Sequence, residues 1–140
     1  MPALVFVDSN VLVYAHDRAD PSKQAKAREA IRKCWAEKSG CLSLQVLQEF
    51  YVNITRKVRH PLSRGVAREL IATYAVWRVA LLTAEHVIAA SRLEERYQLQ
   101  FWDALIVAAA KVLRAETILS EDLHHGLEIE GLVVQNPFRG

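Results

Sequence analysis

Val5-Phe6-Val7-Asp8-Ser9-Asn10-Val11-Leu12-Val13-Tyr14-Ala15 is the stretch on which the fold turns. Together with Leu4, its opening residues form a continuous apolar, partly β-branched run, the pattern of a strand buried on both faces. The run stops at Asp8-Ser9-Asn10, residue types whose side chains accept the free N–H groups of a helix start and so favour helix entry.

Outward from this strand, Pro21-Ser22 opens a charged amphipathic segment, with Ala25, Ala27, Ala30, Ile31, Cys34 and Trp35 marking its apolar side up to Gly40. Cys41-Leu42 reads as a short strand, and Ser43 as the cap of a helix over Leu44 to Val58. That helix carries Leu47, Phe50, Tyr51, Ile54 and Val58 at helical spacing, and His60-Pro61 breaks it. A helix from Ser63 to about Val76 precedes a strand over Val79 to Leu82. Thr83 caps a helix to about Tyr97, and Asp103 begins a helical stretch over Ala104 to Ala115. Thr117 to Leu119 and Leu132 to Val134 complete the short apolar strands. Strands alternating with helices, with no hairpin signal such as Asn-Gly, predict an α/β fold with a parallel sheet. With no internal repeat, residues 1–140 read as one domain ending in a short loose tail, Asn136 to Gly140.

At 140 residues and 51% hydrophobic content, the chain suffices for one domain with a real core. A net charge of +2, from 18 Lys and Arg against 16 Asp and Glu, permits nucleic-acid binding without arguing for it. Cys34 and Cys41 are too few for a disulfide framework or a four-cysteine zinc site, and they are expected as reduced thiols of a cytoplasmic protein. The short apolar run ended by Asp8 is not a signal peptide. The other apolar stretches are cut by Arg78 and Lys111, well below the ~18 residues of a membrane span. The expectation is a soluble protein with no membrane partner.

Parallel α/β sheets collect ligands at the carboxyl ends of their strands. Asp8 follows the first strand, Asp122 follows Thr117 to Leu119, Asp103 opens a helix, and Glu49 lies about two turns into the helix after Leu42. Each also has an ordinary reading. Asp8 and Asp103 stand where capping aspartates stand, Asp122 sits in a post-strand turn, and Glu49 points nearly opposite the Leu47/Tyr51/Ile54 stripe, as a solvated glutamate would. Glu49 does share a polar stripe with Gln45 and Asn53 that can line a groove. Taken together, carboxylates gathered in space repel each other unless a cation neutralises them. Hard oxygen ligands suit Mg²⁺ or Mn²⁺, and such an ion can activate water against a phosphodiester. There is no Gly-rich phosphate loop, GxSxG elbow or HExxH helix, and His124-His125 lack a third zinc ligand.

These motifs, in order, resemble a PIN domain, particularly the toxin branch often called VapC. VFVDSNVLVYA matches the family's strand ending in Asp-Ser/Thr-Asn before an apolar helix, and SLQVLQEFYVNITRK matches the helix with the second acid, at Glu49. LQFWDALIVAAA matches the segment of Asp103, and ILSEDLHHG matches that of Asp122, preceded by Ser120. The resemblance covers essentially the whole chain. It implies a three-layer α/β/α sandwich around a central parallel sheet, and a catalytic site in which Asp8, Glu49, Asp103 and Asp122 gather one or two Mg²⁺ or Mn²⁺ ions. Asn10 and Ser120 would orient those ligands. Many relatives carry a further acid just after the fourth position. Here Leu123, His124 and His125 follow, so Glu121 is a second candidate beside Asp122.

The implied reaction is hydrolysis of RNA. Affinity for the RNA backbone would come from Arg56, Lys57, Arg59 and Arg64 after the Glu49 helix, or from Lys23, Lys26, Arg28, Arg32 and Lys33 on the early helix, unless these are ordinary solvated faces. The resemblance further implies a homodimer and a small antitoxin partner. A non-catalytic PIN-like RNA-binding or scaffold protein is the alternative reading. A phosphatase with an aspartate nucleophile at Asp8 would need an acid two residues on, where Asn10 cannot transfer protons.

Overall fold

The apolar run at the N-terminus becomes β1 (Val5–Val7), and it pairs in parallel on both sides. On one side Phe6 lies opposite Cys41 of β2 (Gly40–Ser43), and on the other opposite Ile118 of β4 (Thr117–Leu119). A computed structural model describes residues 3–139 of the chain. Its sheet has six strands in the order β3-β2-β1-β4-β6-β5, with β3 at Arg78–Ala80, β5 at Glu128–Ile129 and β6 at Leu132–Gln135.

Between the strands run α1 (Ser9–His16), α2 (Pro21–Glu37), α3 (Leu44–Val52), α4 (Arg64–Tyr74), α5 (Ala84–Tyr97) and α6 (Phe101–Val112). α1 packs on α2 and α3, and α3 on α4. α5 pairs with α6, which lies over β2 and β3, giving the α/β/α layering. The core sits where β1 and α1 meet these layers: Phe6, Val7, Val11 and Leu12 have no solvent exposure. α6 is buried from Ala104 through Ala110, and its small alanines let it lie close to the sheet.

The order of strands fixes where a ligand can sit. From β1 the chain builds β2 and β3 outward in one direction, then crosses to build β4, β6 and β5 in the other. Such a reversal opens a crevice beyond the carboxyl ends of the two strands at the switch point, here β1 and β4.

Several elements depart from the sequence-based expectation. The sheet is mostly parallel, but β5 pairs antiparallel with β6 through a two-residue turn. Glu130 and Gly131 both adopt positive φ, 51° and 94°, as a type I′ turn demands, so a hairpin forms without an Asn-Gly signal. The helix expected over Leu44 to Val58 ends at Val52 and continues as a π-helical turn, Asn53–Lys57. The strand expected over Val79 to Leu82 is displaced to Arg78–Ala80, leaving Leu81 exposed. The tail is not loose as far as Arg139. The Phe138 ring packs edge-on against Tyr14 at 4.9 Å, and the Phe138 N–H donates to Asn136 Oδ1. Cys34 and Cys41 are free and buried, and burial pushes the Cys41 thiol up to about 12.

Gly40 starts β2 against the indole of Trp77, whose ring also meets that of Trp35 with centroids 5.0 Å apart. A Cβ at Gly40 would lie 2.5 Å from Trp77 Cε2. Gly40→Ala is therefore expected to lower stability by about 1–3 kcal/mol through overpacking. Urea unfolding followed by circular dichroism measures this, and an unchanged midpoint would show that Trp77 moves aside freely.

Candidate active site

Asp8 leaves β1 directly into the N-cap of α1, and its Oδ1 accepts the Ser9 N–H at 2.7 Å. Its other oxygen, Oδ2, accepts the Ser120 hydroxyl at 2.8 Å from just beyond β4. Capping thus describes Asp8 but does not exhaust it, because the second bond reaches across the switch point. Only 3% of Asp8 is exposed.

Asn10, on the first turn of α1, ties the same two loops. Its Nδ2 lies 3.3 Å from Asp8 Oδ2, 3.3 Å from Ser120 Oγ and 3.2 Å from Asp122 Oδ2, sharing its hydrogens among these acceptors. Its Oδ1 accepts the Glu121 N–H at 3.1 Å. Ser120, with no exposure, also accepts the Asp122 N–H at 3.1 Å. Asn10 and Ser120 therefore hold the residue 120–122 turn against Asp8.

Glu49 approaches from α3. It is half-buried rather than a solvated surface glutamate, and Ser9 Oγ donates to its Oε1 at 3.3 Å. Asp103 enters from the first turn of α6, not at its opening. The cap is Gln100, so the capping explanation does not apply to Asp103. Asp8, Glu49, Asp103 and Asp122 all line one cavity of about 490 Å³ at the carboxyl ends of β1 and β4. The polar stripe Gln45, Glu49, Asn53 forms one wall, and the π-helical turn extends it to Lys57. Such π turns are frequent at functional sites because the wider helix re-aims side chains.

The basic clusters divide. Lys57 and Arg59 line the cavity, whereas Arg56 and Arg64 are exposed outside it. On α2, Lys23 pairs with Glu121, which also accepts the Tyr14 hydroxyl at 3.1 Å. Arg28 Nε donates to the Ala15 carbonyl at 2.8 Å, and Arg32 pairs with Glu29. Glu121 lines the same cavity as Asp122 but differs from it in carrying a cationic partner. The sequence does not single out Ser9 or the Lys23–Glu121 pair; both depend on contacts between distant segments.

Burial dominates the electrostatics. It pushes the Asp8 carboxyl up to about 6, with Glu49 and Asp122 adding to the rise and Ser120 and Ser9 opposing it. Burial also raises Glu49, with Asp103 and Asp122 contributing, and raises Asp103, with Asp122 contributing. Among the described residues, no three acidic, histidine or cysteine side chains stand close enough to hold one ion in their present conformations. The donor set still has the chemistry of a hard divalent site. It offers carboxylate oxygens, mutually repelling, and none of the ion pairs among the described residues reaches them.

A parallel α/β sheet with an acidic cavity at its switch point defines the class of protein. The PIN-domain family profile matches residues 5–125, and the chain belongs to the PIN-domain family. No curated protein matches the sequence. Among solved structures, a toxin–antitoxin complex from Klebsiella pneumoniae is similar at 19% identity over 95% of this chain and 97% of that one, with a TM-score of 0.70. VapC20 of Mycobacterium tuberculosis, a sarcin–ricin-loop-cleaving toxin, is similar at 23% identity over 84% of this chain and 91% of its own, with a TM-score of 0.64. At these identities the likeness is one of fold.

The raised Asp8 carboxyl has a consequence for stability. The fold favours the protonated form, so the associated stability is fully present below the ordinary value of 3.8 and is lost as pH rises through about 6. That separation corresponds to about 3 kcal/mol. In EDTA, the urea midpoint is expected to fall across this window, and Asp8→Asn to flatten the slope. Ser120→Ala, which removes a bond that favours the charged form, should extend the slope to higher pH. A wild-type midpoint that rises through the same window would refute the assignment.

Proposed function

We propose that this chain is a metal-dependent endoribonuclease, the toxin of a toxin–antitoxin pair. The observation that carries this reading is the convergence of Asp8, Glu49, Asp103 and Asp122 on one cavity, with Lys57 and Arg59 on the same walls. When bound, Mg²⁺ or Mn²⁺ would supply charge neutralisation, an activated water and stabilisation of the developing phosphorane charge. Asp8, Glu49, Asp103 and Asp122 would hold it. Asn10 and Ser120 fix the orientation of Asp8 and Asp122 through their hydrogen bonds across the switch point. Lys57 and Arg59 offset the repulsion between the acidic cavity and a phosphate backbone. Arg56 and Arg64 lie outside the cavity, where they meet only RNA that runs beyond it.

The fold shared with the Klebsiella toxin–antitoxin complex and with VapC20 supports a toxin role and a small antitoxin partner. A cytoplasmic homodimer acting on cellular RNA completes the reading. Among the described residues no helix is long and apolar enough to cross a membrane.

Purified wild type is expected to cleave RNA with Mg²⁺ or Mn²⁺ and to lose cleavage in EDTA. Asp8→Asn and Asp103→Asn, checked for folding, should be slower by about two orders of magnitude or more. Folded variants that cleave at the wild-type rate would remove the carboxylates from the chemistry. RNA binding without cleavage, and no heat of Mg²⁺ or Mn²⁺ binding by calorimetry, would leave a non-catalytic RNA-binding protein instead.

A further inference from the structure

Trp102 is the second residue of α6, immediately before Asp103, and 64% of it is exposed. The helix then turns inward and is buried from Ala104 through Ala110. A tryptophan left open to water forgoes the largest hydrophobic gain of any side chain, and burial elsewhere in this fold does not require its position. Its ring is steadied rather than covered: Phe101 meets it edge-on at 5.4 Å and 71°. Its carbonyl accepts from Gln45 Nε2 at 3.4 Å, tying the start of α6 to the cavity wall of α3. Trp102 lines the same cavity as Asp8, Glu49 and Asp103, and Lys57 and Arg59 stand on that cavity too.

We propose that Trp102 is the stacking platform for an unpaired base of the substrate, at a nucleotide beside the phosphate that is cleaved. The inference rests on the ribonuclease reading and adds a positioning residue to it. An aromatic face combined with two cations and a carboxylate cluster matches a strand that is both a polyanion and a series of π faces. An apolar protein segment would use the indole but leave Lys57 and Arg59 without a counterpart. Stacking tolerates any base but needs one free of its duplex, so Trp102 selects single-stranded or looped RNA over a paired stem. It also fixes the neighbouring phosphate relative to Asp103, one residue along the helix.

The test uses the full chain carrying Asp8→Asn to suppress cleavage, with a short oligouridine and an abasic ribose-phosphate oligomer of the same length as probes. Adding Trp102→Ala is expected to weaken oligouridine binding by at least about fivefold, and Trp102→Phe by less, with neither changing affinity for the abasic oligomer. Oligouridine should also quench tryptophan fluorescence in the parent but not in Trp102→Phe, since Trp35 and Trp77 pack against each other outside this cavity. Equal affinities of parent and Trp102→Ala, or an equal loss on both probes, overturn the stacking role. A fall in molecular mass by light scattering in Trp102→Ala, with RNA affinity intact, overturns it by assigning the indole to a contact between copies. If the parent binds neither probe and wild type shows no metal-dependent cleavage, the ribonuclease reading fails together with it. Cleavage-competent wild type with an indifferent Trp102→Ala sinks the stacking alone.

Discussion

The carboxylate of Asp8 is held almost without solvent contact between the Ser9 N–H on one side and the Ser120 hydroxyl on the other. Those two bonds join the end of β1 to the loop after β4, the strands on either side of the topological reversal. An ionised group so deeply placed is costly unless its lone pairs are filled, and filling them fixes both loops at once. Asn10 extends the constraint to Asp122 and to the Glu121 main chain. These side-chain bonds add to the backbone tie already there, in which the Asp8 N–H donates to the Leu119 carbonyl at 3.0 Å.

The same site holds more negative charge than its surroundings compensate. The fold treats its acids unequally. Glu121 receives Lys23 and the Tyr14 hydroxyl, while burial, with neighbouring acids including Asp122 adding to it, raises the proton affinities of Asp8, Glu49 and Asp103. Desolvation and mutual repulsion both disfavour the charged forms of these groups, and positive charge brought among them would relieve both. Lys57 and Arg59 line the same cavity, and neither is ion-paired with these acids among the described residues.

Much of the framework is legible in the chain because it rests on local signals. The apolar run before Asp8 predicts the central strand, Ser43 and Thr83 mark helix starts, and the β-branched or leucine-rich runs mark four of the remaining strands. The departures have physical reasons of other kinds. The β5–β6 hairpin uses Glu130 at positive φ, held by the strand pairing and by contacts of its side chain with Lys111 and Tyr97, more than fifteen residues earlier. The π-helical turn at Asn53–Lys57 changes hydrogen-bond spacing without changing residue periodicity. The tail is ordered through Phe138 because Tyr14 and Lys23, more than a hundred residues earlier, supply its seat.

By itself, then, the sequence determined the alternation of strand and helix, the acids at strand ends and the polar stripe Gln45-Glu49-Asn53, because each follows from period and residue type. Tertiary structure alone decided that Glu49 is half-buried, that Asp103 lies within the first turn of its helix, that Glu121 is paired with Lys23 at the cavity wall and that Trp102 lines the cavity. Burial and charge compensation depend on which distant segments meet. Here that meeting is set by the reversal of strand order around β1, where the Asp8 carboxylate is locked to Ser120.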